Sequence, residues 1–140
     1  MGMVQAEITL KNLHDRIKAG LGLINAEDVR TATVTAVVDT GATSLVITDE
    51  LRQKLGLALK GEKIARIANG QYITGKITDA VDIHWKNREI TLPALVLSGN
   101  ETVLLGALPL EGMDLMVNPV TQELAGVHGD REEYVVYQNF

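Results

Sequence analysis

Val37-Val38-Asp39-Thr40-Gly41-Ala42-Thr43-Ser44 sets a carboxylate directly after an apolar run and just before a glycine. Upstream, Thr31 to Val38 (TATVTAVV) is rich in β-branched residues and has the composition of a strand. Burying an unpaired charge at a strand end is costly, so Asp39 must be hydrogen-bonded, paired or partly solvated. Gly41 lets the chain turn sharply there. Asp, Thr and Gly are also common turn residues, and as a bare tripeptide they imply nothing more. The surroundings decide between a turn and a site.

Working outward, the chain reads mostly as short strands. Val4, Ala6, Ile8 and Leu10 alternate with polar neighbours, as in a half-buried strand. Between Asn12 and Asp28, Leu13, Ile17 and Leu21 recur at helical spacing, but Gly20 and Gly22 interrupt, so a short helix or excursion is expected. Thr48 to Leu55 is the clear helix: Thr48 can cap it, Asp49 and Glu50 suit its dipole, and Gly56 stands at its end. Lys63 to Ala68 and Gln71 to Thr78 flank Asn69-Gly70, a strong hairpin signal. Further strands are expected at Ala80 to Trp85, Glu89 to Leu97, Thr102 to Leu105, Asp114 to Val117 and Glu123 to Val127, with a proline-bearing turn near Pro109. Residues 129–140 form a tail with a charged run, Asp130 to Glu133, and an aromatic end. It is expected to dock on its own domain or on a neighbouring copy.

Composition narrows the function. At 140 residues and 46% hydrophobic content the chain suits one packed domain. Thirteen Lys and Arg against 18 Asp and Glu leave no basic surplus for a phosphate backbone, so nucleic acid is not an expected partner. No apolar run approaches the ~20 residues that span a bilayer, so no membrane partner is expected either. Cysteine is absent, which removes disulfides and thiolate metal sites. His14, His84 and His128 are scattered, so no metal and no other cofactor is expected. The alternating N-terminus does not look like a secretory signal, and a cytoplasmic location follows by elimination.

Four blocks together resemble the retropepsin-like aspartic proteases, the single-domain relatives of the pepsins. An apolar strand runs into Asp-Thr-Gly-Ala at residues 36–42. A strand and short helix follow at Leu45-Val46-Ile47 and Asp49 to Leu55. A hairpin at Ile64 to Ile77 stands where the family has its flap, and Leu104-Leu105-Gly106 precedes a turn. The small bacterial-type members of the group look most similar. The resemblance implies an all-β fold: a small closed or semi-closed barrel with one short helix and a flap hairpin. Its single domain spans residues 1–128, with the catalytic loop at 37–44 and the flap at 64–77.

It also implies a cofactor-free aspartic endopeptidase acting on peptide or protein substrates. One Asp-Thr-Gly per chain requires a homodimer, with Asp39 of each copy forming the dyad. Two carboxyl groups sharing a proton supply both an acid and a base to a bound water. By resemblance, Thr40 locks the two loops together, Gly41 turns the backbone and offers its carbonyl to substrate, and Ala42 replaces the Ser of many pepsin-like enzymes. That replacement removes a hydroxyl favouring the charged carboxylate, which implies a pH optimum nearer neutral than pepsin's. Ala68, Asn69, Gly70 and Gln71 at the flap tip would meet the substrate backbone. The competing expectation is a non-catalytic dimeric β module that binds extended peptides or partner proteins. The apolar tail from Tyr134 to Tyr137 has the character of a substrate and raises the possibility of autoinhibition.

Two look-alikes fail. Gly70 to Lys76 comes near a phosphate-binding loop, but Ile77 stands where a hydroxyl is needed. Asp39 to Thr43 also resembles a sugar-kinase phosphate turn, but the chain is too short for two lobes. Met113 and Met116 are expected in the core, and the Asp130 to Glu133 run at the surface.

Overall fold

The computed structural model describes residues 3–134. In chain order the elements are β1 (Gln5–Asn12), α1 (Leu13–Gly20), β2 (Thr31–Val38), β3 (Leu45–Ile47), α2 (Asp49–Leu55), β4 (Leu59–Arg66) and β5 (Tyr72–Trp85). There follow β6 (Arg88–Val96), β7 (Leu104–Leu105), α3 (Ala107–Gly112), β8 (Leu115–Asn118) and β9 (Glu123–Gly126). A single 3-10 turn, Ala26–Asp28, sits between α1 and β2.

Seven strands form one sheet in the order β1-β2-β7-β3-β6-β5-β4, and β1 also pairs with β5. That extra pairing closes six strands into a ring and leaves β4 outside it, attached only to β5. The all-β expectation is met. The inside of the ring is packed by alternate side chains of each strand, as strand geometry dictates. Ile8 and Leu10 of β1, Ala36 of β2, Leu45 and Ile47 of β3, and Val81 and Ile83 of β5 are all buried. Leu55, Leu57 and Met113, from outside the ring strands, are buried in the same core.

β7 is only two residues long, yet it sits centrally. It runs parallel to β2 (Val37↔Leu104, Val38↔Leu105) and antiparallel to β3 (Leu45↔Leu105). It therefore fills the gap that opens where β2 and β3 part around the Asp39 loop.

α2 forms as its sequence demands. Thr48 Oγ1 accepts from Leu51 N–H at 3.1 Å. Gly56 ends the helix at φ 66°, where L side chains are strained, and a Cβ there would lie 1.8 Å from Arg30 Nη1. α1 is the helix expected in the insertion at residues 11–30. Buried Asn12 caps it through Asp15 N–H and donates to Leu55 O at 2.9 Å, which ties α1 to the end of α2. Arg30 returns to the same place with a forked pair of bonds to Asp15 at 2.8 and 3.0 Å. Those bonds hold the Asp15 carboxyl at about 2, below its ordinary 3.8.

Three details differ from expectation. Helix is not confined to one short segment, because the turn at Pro109 is a six-residue helix, α3, besides α1 and α2. Proline is tolerated there because it falls in the first turn, where its missing N–H would have no intrahelical partner. Met116 is 41% exposed while Met113 is fully buried, since β8 alternates and directs Leu115 inward. The 130–133 run is not simply a solvated face, because Glu133 N–H donates to Asp114 Oδ2 at 3.0 Å.

Candidate active site

β2 delivers Asp39 to the end of the ring. Its N–H donates to Leu105 O at 3.0 Å, the last rung between β2 and β7. The backbone then turns at once: Ala42 N–H donates to Asp39 O at 3.1 Å, and Gly41 N–H donates to Asp39 Oδ1 at 2.9 Å. This is the local side-chain turn that an Asp two residues before a Gly favours. A Cβ at Gly41 would lie 3.2 Å from that same carboxylate oxygen. Asp39 is half-buried, partly solvated and hydrogen-bonded, which meets the demand made by its position in the sequence.

The loop is held from below by α3. Ala107 N–H donates to Ala42 O at 2.8 Å and Leu108 N–H to Thr43 O at 2.9 Å. Gly106, the cap residue of α3, has no side chain to offer the first-turn N–H groups, and the loop carbonyls serve instead. Glycine is required there for space. A Cβ at Gly106 would stand 2.4 Å from Ser44 O and 2.6 Å from Ala42 O.

Across from the loop, β4 and the first half of β5 form the hairpin, paired from Leu59↔Thr78 to Arg66↔Tyr72. Its tip is a three-residue loop. Ile67 N–H donates to Gln71 O, Gly70 N–H donates to Ile67 O, both at 2.9 Å, and Gly70 takes φ 83°. Asn69 keeps a negative φ, so the tip is a turn followed by a glycine bulge, not the two-residue turn that Asn-Gly favours most. Asn69 Nδ2 donates to Gln71 Oε1 at 3.1 Å and Gln71 N–H to Asn69 Oδ1 at 2.9 Å, so the two side chains stiffen the tip.

Between loop and hairpin lies a cleft of about 1020 Å³. Of the residues singled out from sequence, Asp39, Gly41, Ala42, Ala68 and Gly70 line it together. Thr40 is exposed beside it, while Asn69 and Gln71 are exposed at the tip without lining the cleft. Sequence patterns did not single out the aliphatic floor, which includes Leu92, Leu95, Leu97 and Leu108, nor Lys63 and Arg66 on the roof. The alternation of β4 was the available signal for Lys63. Leu108 was hidden inside the unrecognised α3.

A second polar cluster lies away from the cleft. Arg88 is 2% exposed, and its guanidinium donates to Met113 O at 2.9 Å, Asp114 O at 2.6 Å and Gly129 O at 2.6 Å. Asp114, at φ 56°, accepts from His128 Nδ1 at 2.7 Å. That bond raises the His128 pKa above its ordinary 6.5 and lowers that of Asp114. Residues 128–134 are thereby fastened to the end of α3. Tyr134 lines a separate cavity of about 460 Å³ with Arg16 and Asp82. Burial alone would raise the Asp82 pKa, but hydrogen bonds from Arg16 and Thr91 hold it low. The rest of the aromatic tail expected to dock, Val135 to Phe140, lies outside the described residues.

Among the described residues no helix is long and apolar enough to cross a membrane, and no group of His, Cys, Asp and Glu could hold a metal ion. No curated protein matches the chain. The model of the family described as "gag-polyprotein putative aspartyl protease" matches residues 26–111, from the 3-10 turn before β2 into α3. That span takes in the Asp39 loop, the hairpin, β7 and Gly106. The chain thus belongs to this retropepsin-like aspartyl protease family.

Proposed function

We propose that the protein is a cytoplasmic, cofactor-free aspartic endopeptidase that works as a homodimer, with Asp39 of each copy forming one catalytic pair. The observation that carries this reading is the placement of Asp39: half-buried, in a cleft of about 1020 Å³ between the catalytic-type loop and the hairpin. Close carboxyl groups cannot both ionise, so the pair holds one proton. The charged Asp39 takes a proton from water as its oxygen attacks the scissile carbonyl carbon. The protonated Asp39 of the other copy donates to the carbonyl oxygen. Collapse of the tetrahedral intermediate then breaks the C–N bond: the now protonated first Asp39 donates to the departing nitrogen, and the second Asp39 recovers a proton from a hydroxyl of the intermediate, so the pair again holds one proton. Gly41, with its backbone on the cleft, and the flap tip at Ala68 and Gly70 supply main-chain groups to an extended substrate. Thr40, exposed beside the loop, is assigned to the contact between the two copies.

The test is hydrolysis of a peptide library by the wild-type chain and by Asp39→Asn. Loss of cleavage in the variant, with circular dichroism and sedimentation unchanged, supports the dyad. Cleavage that survives the substitution overturns it. A wild type that dimerises and binds peptides without cutting them would make the chain a non-catalytic peptide-binding module.

A further inference from the structure

The hairpin roof carries two positive charges that its own strands leave unmatched. Along β4 the charged residues are Lys60, Glu62, Lys63 and Arg66. The register sets Glu62 opposite Lys76, a cross-strand pair of opposite sign. Lys63 instead faces Gly75, with Ile73 and Ile77 as its diagonal neighbours on that face, and Arg66 faces Tyr72. Neither Lys63 nor Arg66 forms an ion pair among the described residues. Both border the cleft, where Asp39 is the one carboxylate among the described lining residues, but alternation turns Arg66, like the exposed Ile64 and Tyr72, to the strand face opposite Lys63.

The remainder of the cleft is largely aliphatic. Lys63 shares its strand face with Ala65 and Ile67, which are half-buried. The floor opposite includes Leu92, Leu95 and Leu97. Positive groups over apolar walls focus the local field more than the same charges on an open surface. The chain as a whole carries a net charge of −5, so this sign is a property of the cleft and not of the molecule. In a dimer the contrast sharpens, with Lys63 from each roof facing a carboxyl pair holding one proton.

Resting on the proposed protease reading, we infer that the cleft selects extended segments in which an aliphatic stretch is flanked by Asp or Glu, with Lys63 as the specificity-determining residue. The aliphatic part of the substrate covers the leucine floor, and its flanking carboxylate meets Lys63. A basic flank meets like charge and is disfavoured, so attraction and repulsion both contribute to selection.

The test uses coumarin-labelled peptides with one Leu/Val core and Glu, Gln or Lys at the flanking positions. For wild type, kcat/KM should rank Glu over Gln over Lys, with steps of roughly two- to fivefold for such solvent-accessible pairs. Lys63→Glu should invert the ranking, Lys63→Met should flatten it, and Arg66→Met, on the opposite strand face, should leave it unchanged. Raising salt from about 0.05 to 0.5 M should compress the differences. The same peptides are titrated by anisotropy against Asp39→Asn, which reads binding without turnover. Cleavage without a charge preference overturns the inference and leaves the protease standing. Acid-selective binding that Lys63→Glu abolishes, with no cleavage by wild type, supports the inference while the protease reading falls. Absence of both binding and cleavage for all three peptides overturns both.

Discussion

At the scale of single residues, Gly106 and His128 make opposite kinds of demand. A methyl at Gly106 meets two backbone oxygens, Ser44 O at 2.4 Å and Ala42 O at 2.6 Å, and neither can swing aside as a side chain can. Gly106→Ala is expected to lose about 1–3 kcal/mol in urea unfolding, with the loss of activity exceeding the loss of fold because the displaced atoms belong to the Asp39 loop. His128 acts through charge. Its pKa is raised by Asp114, so its contribution to stability is complete below its unfolded value near 6.5 and disappears as pH rises through the higher folded value. Thermal midpoints from pH 5 to 9 should therefore fall on the alkaline side for wild type, and the fall should be smaller in His128→Gln. A slope unchanged by the substitution would remove His128 from the account. Asp39 was legible in the sequence because a charge at a strand end before Gly is a local anomaly. Arg88 was not, because its partners are carbonyls of Met113, Asp114 and Gly129, far along the chain and silent in side-chain pattern.

At the scale of elements, the hairpin and α2 were readable because turn and cap chemistry is local. Asn69-Gly70 marked the hairpin, although the observed tip places only Gly70 at positive φ. α3 was missed because Pro109 reads as a break, yet proline in a first turn removes no helical bond. The hairpin also rests on its neighbours in a way that can be altered. A Cβ at Gly75 would lie 2.6 Å from Leu95 Cδ1 and 2.9 Å from Leu97 Cδ2, both ends of flexible side chains. Gly75→Val should therefore lift the roof and not break the sheet. Amide exchange across 64–77 is expected to accelerate and KM to rise, with the thermal midpoint within a few degrees of wild type. Slower exchange there would show that the added side chain packs instead of wedging.

At the scale of the whole molecule, the resemblance implied a closed or semi-closed sheet, but that β1 and β5 are the strands that close it was beyond the sequence. Alternation shows that each is a strand but not that Thr9 meets His84. The resemblance supplied the all-β architecture, and the residues supplied the alternation that fills it. If activity resides in a dimer, specific activity should fall on dilution in step with the dimer fraction measured by sedimentation equilibrium. Activity that is constant per chain down to a monomeric concentration would exclude a shared pair of carboxyl groups.

The two-residue strand β7 has a further consequence, for the order in which the protein is made. The Asp39 loop is emitted early in synthesis, but its rung at Leu105 and its supports at Ala107 and Leu108 arrive only after the hairpin and β6 are already outside the ribosome. Such distant pairings form late because their loop-closure cost comes before their reward. A chain arrested before residue 105 keeps the loop's internal bonds from Gly41 and Ala42 to Asp39 but lacks the contacts that fix the loop to the rest of the fold. If Asp39 acts as proposed, topology therefore withholds a fixed Asp39 loop from every chain that has not yet been extended through Leu108.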